Sequence, residues 1–173
     1  MPAPAEPKRR LFFALWPDAA LRRQIAALSR QVCDHPVPAG NLHLTLLFLG
    51  MHNDAARQCF CTAAEHVQGS EFTLSLDHYG GWGRKRIQWL GSSEPPAALG
   101  ELASAITDAM AGCGIEAEKR HFVPHVTLSR KAKNPIEGPA PAAVCWSASD
   151  FVLAESVSSP NGVRYVILER WKL

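Results

Sequence analysis

A chain of 173 residues, 47% hydrophobic and 20% charged, has an ordinary globular composition and is long enough to bury a core. A formal net charge of +2 is too mild for wholesale electrostatic binding of long duplex nucleic acid, and it leaves small anionic ligands open. No apolar run approaches the roughly 18–20 residues of a membrane-crossing helix, so no membrane partner is expected.

The start, Met1–Pro7, lacks the apolar stretch of a secretory signal and reads as a short disordered lead. Five cysteines (Cys33, Cys59, Cys61, Cys113 and Cys145) are an odd number without framework spacing, which predicts reduced thiols in a cytoplasmic protein. Arg9–Leu15 is a short apolar strand. Pro17 and Asp18 suit a helix start, and Leu21, Ile25, Leu28 and Val32 then recur at helical spacing. Asp34–Gly40, with two prolines and a glycine, is a loop that leads into a Leu-rich strand over Asn41–Leu49. Asn53 or Asp54 can cap a second helix, with Ala56, Cys59, Phe60, Ala63 and Val67 on its buried face. Strands over Phe72–Tyr79 and Arg86–Leu90 follow, joined by a turn at Gly80–Gly83.

A third helix carries Leu99, Leu102, Ile106, Met110 and Cys113 on one stripe. Next come a strand over Val123–Arg130 and a proline-rich loop over Asn134–Ala143. Closing strands over Ser149–Ser156 and Val163–Trp171 flank a turn at Pro160–Gly162. Hairpins outnumber βαβ units, so the expected class is α+β with mainly antiparallel sheets.

One tetrapeptide is said twice. His43-Leu44-Thr45-Leu46 returns 82 positions later as His125-Val126-Thr127-Leu128. Alternation along a strand puts His43 and Thr45 on one face, about 6.5–7 Å apart, and turns Leu44 and Leu46 to the core. His125 and Thr127 repeat the pattern. Each copy belongs to one half of the chain, which suggests a single domain of two interlocked, pseudo-two-fold lobes around a central cleft. Two imidazoles facing each other there could split acid–base work. One removes a proton from water while the other protonates a departing oxygen, each role worth about 10²–10⁴ in rate. The threonine hydroxyls can donate to phosphoryl oxygens as charge builds. That set needs neither metal nor cofactor.

Other candidates carry less. His121 and His125 are four apart, but Pro124 breaks the helix that would align them on a metal. Cys59 and Cys61, two apart on a helix, do not face each other. His35, His52, His66 and His78 read as structural, and Gly80–Gly83 matches no phosphate-binding fingerprint. Arg130 is the best candidate for a phosphate contact. Strict alternation puts it on the wrong face unless the strand ends or bulges first. Phe12, Phe48, Trp82 and Phe122 could stack on a base, though core packing is the commoner role.

The two motifs and their flanks resemble the 2H phosphoesterase superfamily, and within it the RNA 2′,3′-cyclic phosphodiesterases, also called the 2′-5′ RNA ligase family. RLFFAL, NLHLTLLFLG, FTLSLDHYGGW, IQWLG, FVPHVTLSR, DFVLAES and RYVILERWKL all look like family segments. The resemblance implies a bilobal α+β fold and metal-free hydrolysis of RNA ends bearing a 2′,3′-cyclic phosphate to 2′-phosphomonoesters. Joining of 2′-5′ linkages in vitro is the same chemistry with a ribose hydroxyl in place of water.

By the resemblance, His43 is the proton donor to the leaving 3′ oxygen, His125 the proton acceptor from water, and Thr45 and Thr127 hold the phosphate. Many members carry Arg where this chain has Val123. A monomer is expected. Alternatives are a nucleotide- or RNA-binding module without turnover, or a phosphodiesterase acting on another cyclic nucleotide.

Overall fold

Leu11–Leu15 are five consecutive apolar residues, and a strand of that kind needs both faces covered. The computed structural model describes residues 6–173. Its strands are β1 (Arg9–Leu15), β2 (Leu44–His52), β3 (Phe72–Trp82), β4 (Ile87–Gly91), β5 (His125–Ser129), β6 (Gly138–Ala148), β7 (Asp150–Ser159) and β8 (Gly162–Lys172). They form one sheet in the order β6-β3-β4-β5-β2-β1-β7-β8, with every neighbouring pair antiparallel. β1 lies inside this order, between β2 and β7, and its five apolar residues are buried.

The helices are α1 (Ala19–Val32), α2 (Asp54–Ala64) and α3 (Ala97–Ala111). Asp18 caps α1 by accepting from the Leu21 N–H at 2.8 Å, and Asn53 rather than Asp54 caps α2, accepting from the Ala56 N–H at 3.0 Å. Apolar residues of all three helices share one core with Leu11, Phe13 and Leu15, and with Leu44, Leu46, Val126 and Leu128. Alternation turns Phe12 and Ala14 the other way, into a small cluster with Val152 and Ala154 against which Trp16, Tyr165 and Ile167 pack. The helices thus cover one side of the sheet, and the motif side chains emerge on the other.

Three expectations need correction. An eighth strand, β6, covers part of the supposed Asn134–Ala143 loop. Its Pro139 and Pro141 are tolerated because β6 is an edge strand, where missing donors disturb no second neighbour. Gly80 and Gly81 are strand residues, opposite Trp89 and Gln88, and the turn falls at Gly83–Lys85. A Cβ on Gly80 would meet the Trp89 ring at 2.1 Å, so glycine is there to let the indole lie across the strand.

The third correction concerns sulfur. Cys59 on α2 and Cys113 just past α3 are joined in a disulfide with their Cα atoms 5.9 Å apart, whereas Cys33, Cys61 and Cys145 are free. Of the expected disordered lead, Met1–Ala5 lie outside the described residues, while Glu6 accepts a hydrogen bond from the Asn53 side chain at 3.0 Å. No helix among the described residues is long and apolar enough to cross a membrane.

Candidate active site

The two halves of the sheet, β6-β3-β4-β5 and β2-β1-β7-β8, meet where Leu44 of β2 pairs with Val126 of β5. Both of these residues are fully buried and point into the helix-covered core. Their chain neighbours therefore point to the open face. Extending the antiparallel register by one residue sets His43 opposite Thr127 and Thr45 opposite His125. The repeated motif is thus brought to one place, the two copies side by side on the open face.

His43 sits in an aromatic enclosure. The Trp16 indole stacks on its imidazole with centroids 5.3 Å apart and planes 8° from parallel. Tyr165 meets it edge-on at 4.7 Å, and Phe12 lies at 4.9 Å. The Asn41 carbonyl lies 2.7 Å from Nδ1 and can only accept, so Nδ1 carries the proton in the neutral ring. Nε2 is left to face Thr45 Oγ1 at 3.2 Å. Burial drives the His43 pKa down from 6.5 to about 4. The Asn41 hydrogen bond opposes that shift, and the positive charges of Arg130 and of a protonated His125 add to it. At neutral pH the free protein holds a neutral His43 whose Nε2 accepts from the Thr45 hydroxyl.

His125 repeats the tautomer lock. Its Nδ1 donates to the Val123 carbonyl at 2.7 Å. Trp82 meets the ring edge-on at 4.7 Å, and Trp89, the indole that Gly80 admits, lies at 6.1 Å. Its pKa is also lowered, chiefly by burial and then by Arg130, against the raising effect of the Val123 hydrogen bond. Val123 thus serves His125 through its backbone, which any residue supplies.

Arg130 escapes strict alternation because β5 stops at Ser129. The buried Ser129 hydroxyl donates to the His35 carbonyl at 2.7 Å and accepts from the Lys131 N–H at 3.1 Å, fixing the chain where it leaves the strand. Arg130 then stands exposed beside the cleft, close enough to depress both histidines. A cavity of about 570 Å³ opens here, lined by Asn41, His43, Thr127, Arg130, Lys131 and Tyr165 among others. It is the right size for a nucleotide-like ligand.

The expected stacking residues separate clearly. Phe12 is buried against His43, Phe122 is half-buried against the core, and Trp82 packs on His125. Phe48 is 54% exposed and paired with Phe12, so it shares the open face with Thr45 and His43. Arg120, ahead of the second motif, pairs with Glu118. Among the described residues, no three His, Cys, Asp or Glu side chains are grouped to hold a metal ion. Sequence reasoning missed Asn41, Trp16, Trp89 and Tyr165. Only Asn41, two residues ahead of a motif histidine, had a position that could have drawn notice.

Two strands that each present His-x-Thr on the open face of one antiparallel sheet define a 2H phosphoesterase. The chain belongs to the 2′-5′ RNA ligase superfamily, whose family model matches residues 16–155. The RNA 2′,3′-cyclic phosphodiesterase of Escherichia coli is 37% identical over 175 residues, 98% of each chain. The enzyme of that name from Thermus thermophilus is 28% identical over 180 residues, 95% of this chain and 90% of that one. Among solved structures, Escherichia coli LigT complexed with 3′-AMP superposes with a TM-score of 0.88 at 34% identity, covering 96% of this chain and 98% of that one.

Proposed function

We propose that this protein hydrolyses RNA 2′,3′-cyclic phosphate ends to 2′-phosphomonoesters, with His43 as proton donor and His125 as proton acceptor. The observation that carries the reading is the pairing of the two motifs across β2 and β5. Each Nδ1 is committed to a backbone carbonyl, so each Nε2 is free for proton transfer. The relatives named as RNA 2′,3′-cyclic phosphodiesterases support the substrate class.

The cyclic phosphate sits between Thr45, Thr127 and Arg130, whose donors meet its non-bridging oxygens. Its negative charge, in contact with the His43 ring, restores the imidazolium that burial disfavours in the free protein. His125 Nε2 takes a proton from water as the water oxygen bonds to phosphorus. The bond from phosphorus to O3′ breaks, and His43 Nε2 delivers its proton to O3′. The product keeps the phosphate on O2′, and both rings reset by exchange with solvent. Tyr165, on the cavity lining, and Phe48, exposed on the same face, are the aromatics available to stack on the terminal base.

The test is a short RNA ending in a 2′,3′-cyclic phosphate, incubated in excess EDTA with 2′- and 3′-phosphate products separated. Appearance of the 2′-phosphate supports the activity, its independence of metal and its regiochemistry together. Nucleotide binding without product would move the reading to a binding module. Turnover confined to other cyclic nucleotides would leave the chemistry standing and replace the substrate.

A further inference from the structure

The Asn41 side chain is spent on another strand. Its Nδ2 donates to the Val163 carbonyl at 2.7 Å, and its Oδ1 accepts from the Tyr165 N–H at 3.3 Å. Both partners are on β8, the edge strand of the sheet, so the amide supplies two of the hydrogen bonds that a ninth strand would have made. The carbonyl of the same residue accepts from His43 Nδ1 at 2.7 Å, and the ring of the Tyr165 it holds meets the His43 imidazole edge-on at 4.7 Å. One residue thus ties the tautomer-setting carbonyl and one wall of the histidine's enclosure into a single frame. The second motif has no counterpart. Val123 stands two residues before His125, and its carbonyl bonds Nδ1 at 2.7 Å, but its side chain has no hydrogen-bonding group and is 42% exposed.

From this asymmetry we infer that Asn41 is a positioning residue for His43. Its side-chain amide, clamped across the edge of β8, holds the Asn41 carbonyl where it keeps the His43 proton on Nδ1 and Nε2 free. The inference rests on the acid–base role read for His43, yet the geometry it concerns is measurable without substrate. Without the clamp, the segment ahead of β2 is free to shift, and the carbonyl no longer commits Nδ1. The neutral ring then divides between its two tautomers, one of which puts hydrogen on Nε2 and points it at Thr45.

The experiment compares the protein with Asn41→Ala and Asn41→Asp. Asp is nearly isosteric, but it loses the donor to Val163 and sets a carboxylate against that carbonyl. Ring nitrogen NMR of nitrogen-15 histidine-labelled protein at neutral pH should give a single Nδ1–H tautomer for wild-type His43 and a tautomer mixture in each folded variant. On the cyclic-phosphate RNA, kcat should fall roughly tenfold to a hundredfold with KM changed far less, because ring orientation rather than substrate contact is lost. A folded variant that keeps the single tautomer, or one that keeps wild-type kcat, overturns the inference. So does a wild-type ring protonated on Nε2. If the wild-type protein fails to hydrolyse the RNA at all, the functional reading fails, while the tautomer comparison still decides the positioning role.

Discussion

The indole of Trp16 lies flat on the imidazole of His43, 8° from parallel, and with Phe12 and Tyr165 it screens that ring from water. This is the physical source of the depressed His43 pKa, since an imidazolium loses more on desolvation than the neutral ring does. Trp16→Ala opens the stacked face. The expected result is a His43 pKa that climbs from about 4 back toward 6.5, read directly by titrating the ring by NMR. Unchanged titration would mean that Tyr165 and Phe12 suffice to exclude water.

The same shift makes stability depend on pH in a definite direction. Between pH 6.5 and about 4 the unfolded chain binds a proton at residue 43 that the folded chain refuses, so stability rises with pH across that window. The contribution is fully present above 6.5 and is lost as pH falls, by about 3 kcal/mol once pH 4 is reached. His43→Asn removes the group from both states. Urea unfolding at pH 7 and pH 4 should therefore show a smaller acid-induced loss in the variant than in the wild type. Equal losses would mean that His43 titrates alike in the folded and the unfolded protein.

Leu44 and Val126 explain why a four-residue motif is enough to place the candidate site. With both fully buried and paired, the flanking histidines and threonines have one face left to occupy. Replacing either His43 or His125 with Ala should lower kcat by about 10²–10⁴ at unchanged fold, measured in single turnover with circular dichroism as the control. A variant that retains full turnover would remove that histidine from the mechanism.

What the sequence could disclose was local. Alternation marked the strands, helical spacing marked the helices, and the repeated tetrapeptide marked the two segments that pair across β2 and β5. Apart from the meeting of the two repeated motifs, features that depend on distant segments coming together were not legible. Asn41 meets Val163 across 122 positions, and Trp16 reaches His43 only because β1 and β2 are neighbours. β6 was hidden by Pro139 and Pro141, which signal a loop unless an edge position is already known. The Cys59–Cys113 bridge joins α2 to the residues just past α3 with no spacing to announce it.

Arg130 acts on both histidines through its charge. Arg130→Gln should raise both pKa values, because the repulsion against each imidazolium is gone. On the proposed reading the same change also removes a charged donor for the phosphate, so kcat/KM should fall on the order of tenfold or more. A pH profile of kcat/KM separates the effects: its limbs move to higher pH while its plateau drops. A lowered plateau with unmoved limbs would assign Arg130 to substrate binding alone.

The disulfide offers a change in stability that leaves the chemistry alone. It closes a sequence separation of 54 residues, for which loop-closure entropy in the unfolded chain gives about 4 kcal/mol. α2 and α3 lie on the covered side of the sheet, away from the motif side chains. Paired Cys59→Ser and Cys113→Ser changes should lower the urea midpoint by an amount corresponding to a few kcal/mol. Turnover of the cyclic-phosphate RNA, assayed well below the new midpoint, should stay at the wild-type level. A fall in kcat in the folded double variant would mean that the α2–α3 pair helps to set the open face. The sheet would then have to transmit a shift from its covered side to His43 or His125.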